Sequence, residues 1–168
     1  MTDPARAFDE LADEEARARL LTCLDVPRWA EQVVAGRPYA DWSRLEAAMR
    51  SAALTITDEE LAGALARHPR IGERADAVRH EAAHSEREQA GVDRADEDLA
   101  AALLEGNRAY EERFGQVFII RAAGRDGPEI LDQLRRRLGH TGEQERTETV
   151  EQLLQIALLR AKSLDRCP

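Results

Sequence analysis

Four stretches of the 168-residue chain combine residue types that could do chemistry. His80-Glu81-Ala82-Ala83-His84 spells H-E-x-x-H. On a helix, histidines four apart share a face and could hold zinc, with the glutamate as base. A metzincin-type continuation would put glycine at 87 and histidine at 90, where this chain has Arg87 and Ala90. His140 is the only later histidine, although a distant glutamate could still complete a ligand set. A charged, solvated helix face accounts for the same residues. In Arg67-His68-Pro69-Arg70-Ile71-Gly72, a histidine fixed by the next proline and flanked by arginines could donate a proton beside an anion site. A helix C-terminus would favour its protonated form. The plainer alternative is a surface histidine that ends a helix.

The third stretch is Ser85-Glu86-Arg87-Glu88-Gln89-Ala90-Gly91, in which adjacent Glu88 and Gln89 could accept and donate hydrogen bonds to an amide-rich ligand. A solvated acidic face looks the same. The fourth is Phe118-Ile119-Ile120-Arg121-Ala122, leading to Arg125. A guanidinium beside backbone amides can grip a carboxylate through two hydrogen bonds. A buried connector with Arg121 and Arg125 in solvent is the competing reading.

The elements that must position these residues read as helices. Val150, Leu153, Leu154, Ala157, Leu158, Ala161 and Leu164 step by three and four along one face. Thr141 with Gln144 predicts a capping box at that helix's start. Gly139 is placed to cap the preceding helix, which carries Ile130, Leu131, Leu134 and Leu138 and has Pro128 in its first turn. Thr57 and Glu60 form a second box, and Ile56 and Leu61 a hydrophobic staple. That helix carries Leu61 and Leu65, and Pro69 disfavours helical geometry at His68, which puts the histidine at or just past the helix end. Leu99, Leu103, Asn107, Tyr110 and Phe114 share one side of a further helix that Gly115 ends. Gln116-Val117-Phe118-Ile119-Ile120 breaks the pattern: it is apolar and β-prone, lacks helical spacing and runs into a turn at 122–127. A lone extended run has no strand to pair with, so its backbone groups must find other partners.

Composition narrows the function classes. Lys plus Arg is 24 against 33 for Asp plus Glu, a formal charge of −9 that disfavours phosphate backbones and anionic membrane. No apolar run approaches the roughly 20 residues that span a bilayer. Acids stand where a signal peptide would need an apolar stretch, and two cysteines are too few for a disulfide scaffold, so the cytoplasm is expected. Aromatics are only 4%, so Leu, Ala, Val and Ile must build the core. Together these features predict a single all-α domain over 1–168, a multi-helix bundle with one short extended segment near 116–122.

Taken in order, HPRIG at 68–72, SEREQAGV at 85–92, NRAYEERFGQVFI at 107–119, AAGR at 122–125 and EQLLQIALLR at 151–160 resemble the blocks of the OHCU decarboxylase family. Cys23, Trp29-Ala30 and Arg37-Pro38-Tyr39 are similar to its N-terminal blocks, so the resemblance covers almost the whole chain. OHCU is 2-oxo-4-hydroxy-4-carboxy-5-ureidoimidazoline, an intermediate of urate breakdown. The resemblance implies decarboxylation to (S)-allantoin by an all-α homodimer, with no metal and no organic cofactor. It implies His68 as catalytic acid, Pro69 as part of the pocket, and Ser85, Glu86, Arg87, Glu88 and Gln89 lining the ligand, Glu88 among the catalytic groups. Phe118, Ile119, Ile120, Arg121 and Ala122 would bind substrate through their main chain, with Arg125 toward its carboxylate. The family often has tryptophan at His84 and a small residue at Arg121. A zinc hydrolase built on His80, Glu81 and His84, and a non-catalytic helical ligand-binding module, are the alternatives.

Overall fold

Most of the helices begin where the sequence offers a side-chain acceptor or a proline. The computed structural model describes residues 3–68 and 93–163. Asp3 accepts from the Ala5 N–H at 2.9 Å to start α1 (Pro4–Asp9), whose first residue is proline. Three acids in the first turn of α2 (Asp13–Cys23) favour its positive N-terminal end, and Pro27 opens α3 (Pro27–Ala35). Asp41 caps α4 (Trp42–Ala53) through the Arg44 N–H. The predicted box at α5 (Asp58–Ala66) is present in both directions: Thr57 N to Glu60 Oε2 at 2.9 Å, and Glu60 N to Thr57 Oγ1 at 3.2 Å. Glu60 also takes two hydrogen bonds from Arg28, at 2.9 and 2.7 Å. These contacts hold its carboxyl down at about 2, the Arg28 bonds being the largest cause.

After α6 (Asp93–Phe114), Gly115 takes φ +68° and its N–H bonds the Glu111 carbonyl, the left-handed ending that glycine adopts without a Cβ penalty. Asp126 and Glu129 make a reciprocal capping box on α7 (Gly127–Arg137). Gly139 follows the Leu138 C-cap of that helix, at the end where the sequence predicts a cap. Its N–H reaches the Arg136 carbonyl at 3.1 Å in a tight final turn, and it is not among the residues of positive φ. The second predicted box, Thr141 with Gln144, opens α8 (Gly142–Ala161).

The fold is all-α, and among the described residues there is no strand. The chain forms two compact units, one of residues 1–64 and 148–168, the other of 65–147. In the first, Phe8, Leu20, Trp29, Val33, Leu45 and Met49 are buried with the predicted α8 face of Val150, Leu153, Leu154, Ala157, Leu158 and Ala161. The Trp29 indole donates to the Met49 carbonyl at 3.0 Å. In the second unit, α6 and α7 supply Tyr110, Ile130 and Leu134, which pack with Phe118 and Ile120 of the segment between them. Gly106 permits a close approach of the two helices: a Cβ there would lie 2.6 Å from Leu134 Cδ2. Leu164 lies outside the described residues.

Candidate active site

Residues 117–122 leave the helical pattern where the sequence predicts it. Phe118, Ile119 and Ile120 are buried, Arg121 is half-buried and Ala122 is exposed. A turn follows at 123–124, with Gly124 at φ +79° and the Arg125 N–H bonded to the Ala122 carbonyl at 3.0 Å. Since the side chains of 118–120 are occupied in the core, the segment's main chain is what it can offer a ligand.

Below the segment lies a polar network in a dry setting. The Arg137 side chain is 0% exposed and that of Glu145 is 1%. Arg137 Nε and Nη2 bond Glu145 Oε1 at 2.9 and 2.5 Å, while Nη1 donates to the Ile119 carbonyl at 2.6 Å. Its guanidinium lies 4.6 Å from the centre of the Phe118 ring, a cation–π contact. Glu145 Oε1 also accepts from the Tyr110 hydroxyl, which in turn accepts from Gln116 at 3.1 Å. His140 Nδ1 stands 3.0 Å from Glu145 Oε2. Each charge therefore has a counter-charge and directed hydrogen bonds, the condition under which buried ions are tolerated.

Beside the turn opens a cleft of about 360 Å³ lined by Arg121, Gly124, Arg125, Glu129, Asp132 and Gln133. Two guanidiniums, two carboxylates and one amide in so small a space suit a polar ligand that carries both an anionic group and N–H donors. The structure thus brings Arg121 and Arg125 to one cleft. His68 lies two residues beyond α5, half-buried, with its N–H on the Leu65 carbonyl at 3.0 Å. Pro69, Ser85, Glu86, Arg87, Glu88 and Gln89 lie outside the described residues, as do His80, Glu81 and His84 of the zinc alternative. Among the described residues, no group of three or more His, Cys, Asp or Glu side chains is placed to hold a metal.

Sequence reasoning missed Arg137, Glu145, Glu129, Asp132 and Gln133. One signal was available for them. Asp126-x-x-Glu129 is the same spacing as the two boxes that were read, and it places the first turn of α7 beside the cleft. Arg137 ends a run of three arginines, and only packing distinguishes it from Arg135 and Arg136, which are exposed.

The described residues thus form an all-α fold with one extended segment and an arginine-bearing cleft beside the turn that follows it. The family model for OHCU decarboxylase matches residues 9–162, and the chain belongs to that family. It is 34% identical over 147 residues to the 2-oxo-4-hydroxy-4-carboxy-5-ureidoimidazoline decarboxylase of Amia calva, covering 84% of this chain and 82% of that one. Its fold matches a crystal structure of OHCU decarboxylase in the presence of (S)-allantoin with TM-score 0.67 and 23% identity, over 92% of this chain and 98% of that one. A crystal structure of (S)-allantoin synthase matches with TM-score 0.69 and 20% identity, over 95% of this chain but only 53% of that longer one.

Proposed function

We propose that this chain decarboxylates OHCU to (S)-allantoin, as one 1–168 catalytic domain that pairs into a cytoplasmic homodimer and uses no metal or organic cofactor. The observation that carries the reading is the segment 117–122, non-helical backbone with Phe118, Ile119 and Ile120 buried and bordered by Arg121 and Arg125 at a cleft. Membership of the family supports it, and no described helix is long and apolar enough to cross a membrane.

The substrate's own ring supplies the electron sink. When the bond between C4 and its carboxylate breaks, CO2 leaves and the electron pair moves into the adjacent ring C=N. That leaves a C4=C5 double bond and a protonated ring nitrogen. The C4 hydroxyl then loses its proton as it becomes the carbonyl, and a proton delivered to one face of the ureido-bearing carbon C5 fixes the hand of the product. The protein must hold the carboxylate, stabilise the electron-rich intermediate and deliver that proton. In this reading His68 delivers the proton, at the end of a helix whose negative pole favours the imidazolium. Pro69 holds the His68 backbone and forms pocket wall. Glu88 and Gln89 recognise the ureido arm and ring amides, beside Ser85, Glu86 and Arg87. The main chain of 118–122 receives the ring, and Arg125 faces the carboxylate.

The test is circular dichroism of the products while urate is oxidised in the presence of the purified protein. Uncatalysed decay gives racemic allantoin, so a growing signal of the S form is the expected result. A flat trace with the folded protein present would refute the assignment.

A further inference from the structure

The buried network has a third arm that ion pairing does not require. A buried salt bridge is a weak source of stability, because desolvation offsets most of its attraction and apolar residues of similar volume do as well. Arg137 satisfies Glu145 with Nε and Nη2 and spends Nη1 on a backbone carbonyl, that of Ile119 at 2.6 Å. Its flat face lies against the Phe118 ring. One guanidinium therefore fixes two successive residues of the segment. A peptide unit is planar and trans, so its C=O and the next N–H point in opposite directions. Pinning the Ile119 carbonyl toward Arg137 aims the Ile120 N–H to the other side of the segment.

We propose that Arg137 is a positioning residue: by holding the Ile119 carbonyl it orients the 119–120 peptide so that the Ile120 N–H donates to the bound substrate. This role rests on the decarboxylase reading and deepens it. Glu145 and Tyr110 act one step further back, since Glu145 fixes the guanidinium and the Tyr110 hydroxyl fixes Glu145. Lysine cannot replace arginine here. Its ammonium is a single point charge without the planar fork that reaches carboxylate and carbonyl together.

The variant is R137K, with L45A, a buried α4 position in the other unit, as a control for lost packing alone. Both are assayed at a temperature where they are folded by circular dichroism. R137K is expected to raise KM about ten-fold with kcat within about three-fold, the pattern of lost uniform binding. Amide exchange at 117–122 should quicken in R137K and not in L45A, whose KM should match wild type. Should R137K not fold, the pair variant R137L/E145L removes the guanidinium and the carboxylate together, so that neither is left buried without the other. The same KM shift is expected of it. A stereospecific wild-type enzyme whose folded Arg137 variant keeps its KM within two-fold overturns the positioning role alone. A wild-type protein that yields racemic allantoin overturns the decarboxylase reading, and this role with it.

Discussion

The contact between Gly106 and Leu134 gives a prediction with a definite sign. Leu134 is 0% exposed, within the cluster of Tyr110, Phe118, Ile120 and Ile130. Leu134→Ala removes three buried carbons and leaves a cavity, a loss of about 3–4 kcal/mol. Gly106→Ala gains about 1 kcal/mol of helix propensity. Its new methyl, however, would stand 2.6 Å from Leu134 Cδ2 and 3.2 Å from Cγ. Leu134 is walled in, so relieving that overlap costs about 2 kcal/mol. The single Gly106→Ala change should therefore destabilise by about 1 kcal/mol. In the double variant the methyl enters the space that Leu134 vacates, so the clash disappears and only the propensity gain and partial filling remain. The double variant should lie only about 2 kcal/mol below wild type, against about 4–5 if the effects were additive. Urea denaturation followed by far-UV circular dichroism on all four proteins gives the coupling energy. An additive cycle, or a double variant weaker than the sum, would mean that α6 and α7 do not approach at Gly106 as described.

His68→Ala should lower kcat for stereospecific allantoin formation by about 10²–10⁴-fold with thermal stability unchanged, and an active variant would remove His68 as proton donor. Replacing His80 and His84 together by alanine should leave activity within about three-fold, with the protein still active in chelator; activity lost to chelator and restored by zinc would establish the metalloenzyme alternative instead. The Glu60 carboxyl is held near 2 in the folded chain against an ordinary 4.5. Its contribution is therefore complete above pH 4.5 and is lost as pH falls toward 2. Because Arg28 is 40% exposed and Glu60 22%, water screens the pair and Glu60→Gln should cost about 1 kcal/mol at pH 7. Urea midpoints of wild type and variant should converge by pH 2–3, and a constant gap across that range would contradict the assignment.

How much the sequence shows depends on how local the cause is. Capping boxes at Thr57 and Thr141 and the apolar face of α8 are written within a few residues, and they stand where the spacing predicts. The 117–122 segment was legible because an apolar β-prone run without helical period sat between Gly115 and a turn. Arg137 was not, since its partners Ile119 and Glu145 are brought to it by packing and its neighbours in the run are chemically identical. Gly139 shows a limit of another kind: its place at the end of an apolar stripe marks a helix end, but not that its N–H would bond the Arg136 carbonyl in a tight last turn without positive φ. The site assignments rest on blocks recognised in order, and the described part of them, His68, Phe118 to Ala122 and Arg125, carries no local pattern that would assign a substrate by itself.

The unpaired segment also matters away from catalysis. Val117-Phe118-Ile119-Ile120 is uncharged, free of proline and glycine, and strongly inclined to pair as a strand, the profile of a sequence that seeds intermolecular sheets. Folded, its apolar side chains are largely buried and Arg137 occupies the Ile119 carbonyl, so no continuous edge is presented to another chain. Any opening that lifts these four residues off α6 and α7 exposes such an edge, with Arg121 as the charged gatekeeper at its end. The apolar run that gives the site its non-helical backbone is thus also where self-association would start during heating or slow refolding, and the contacts that fix the site guard solubility as well.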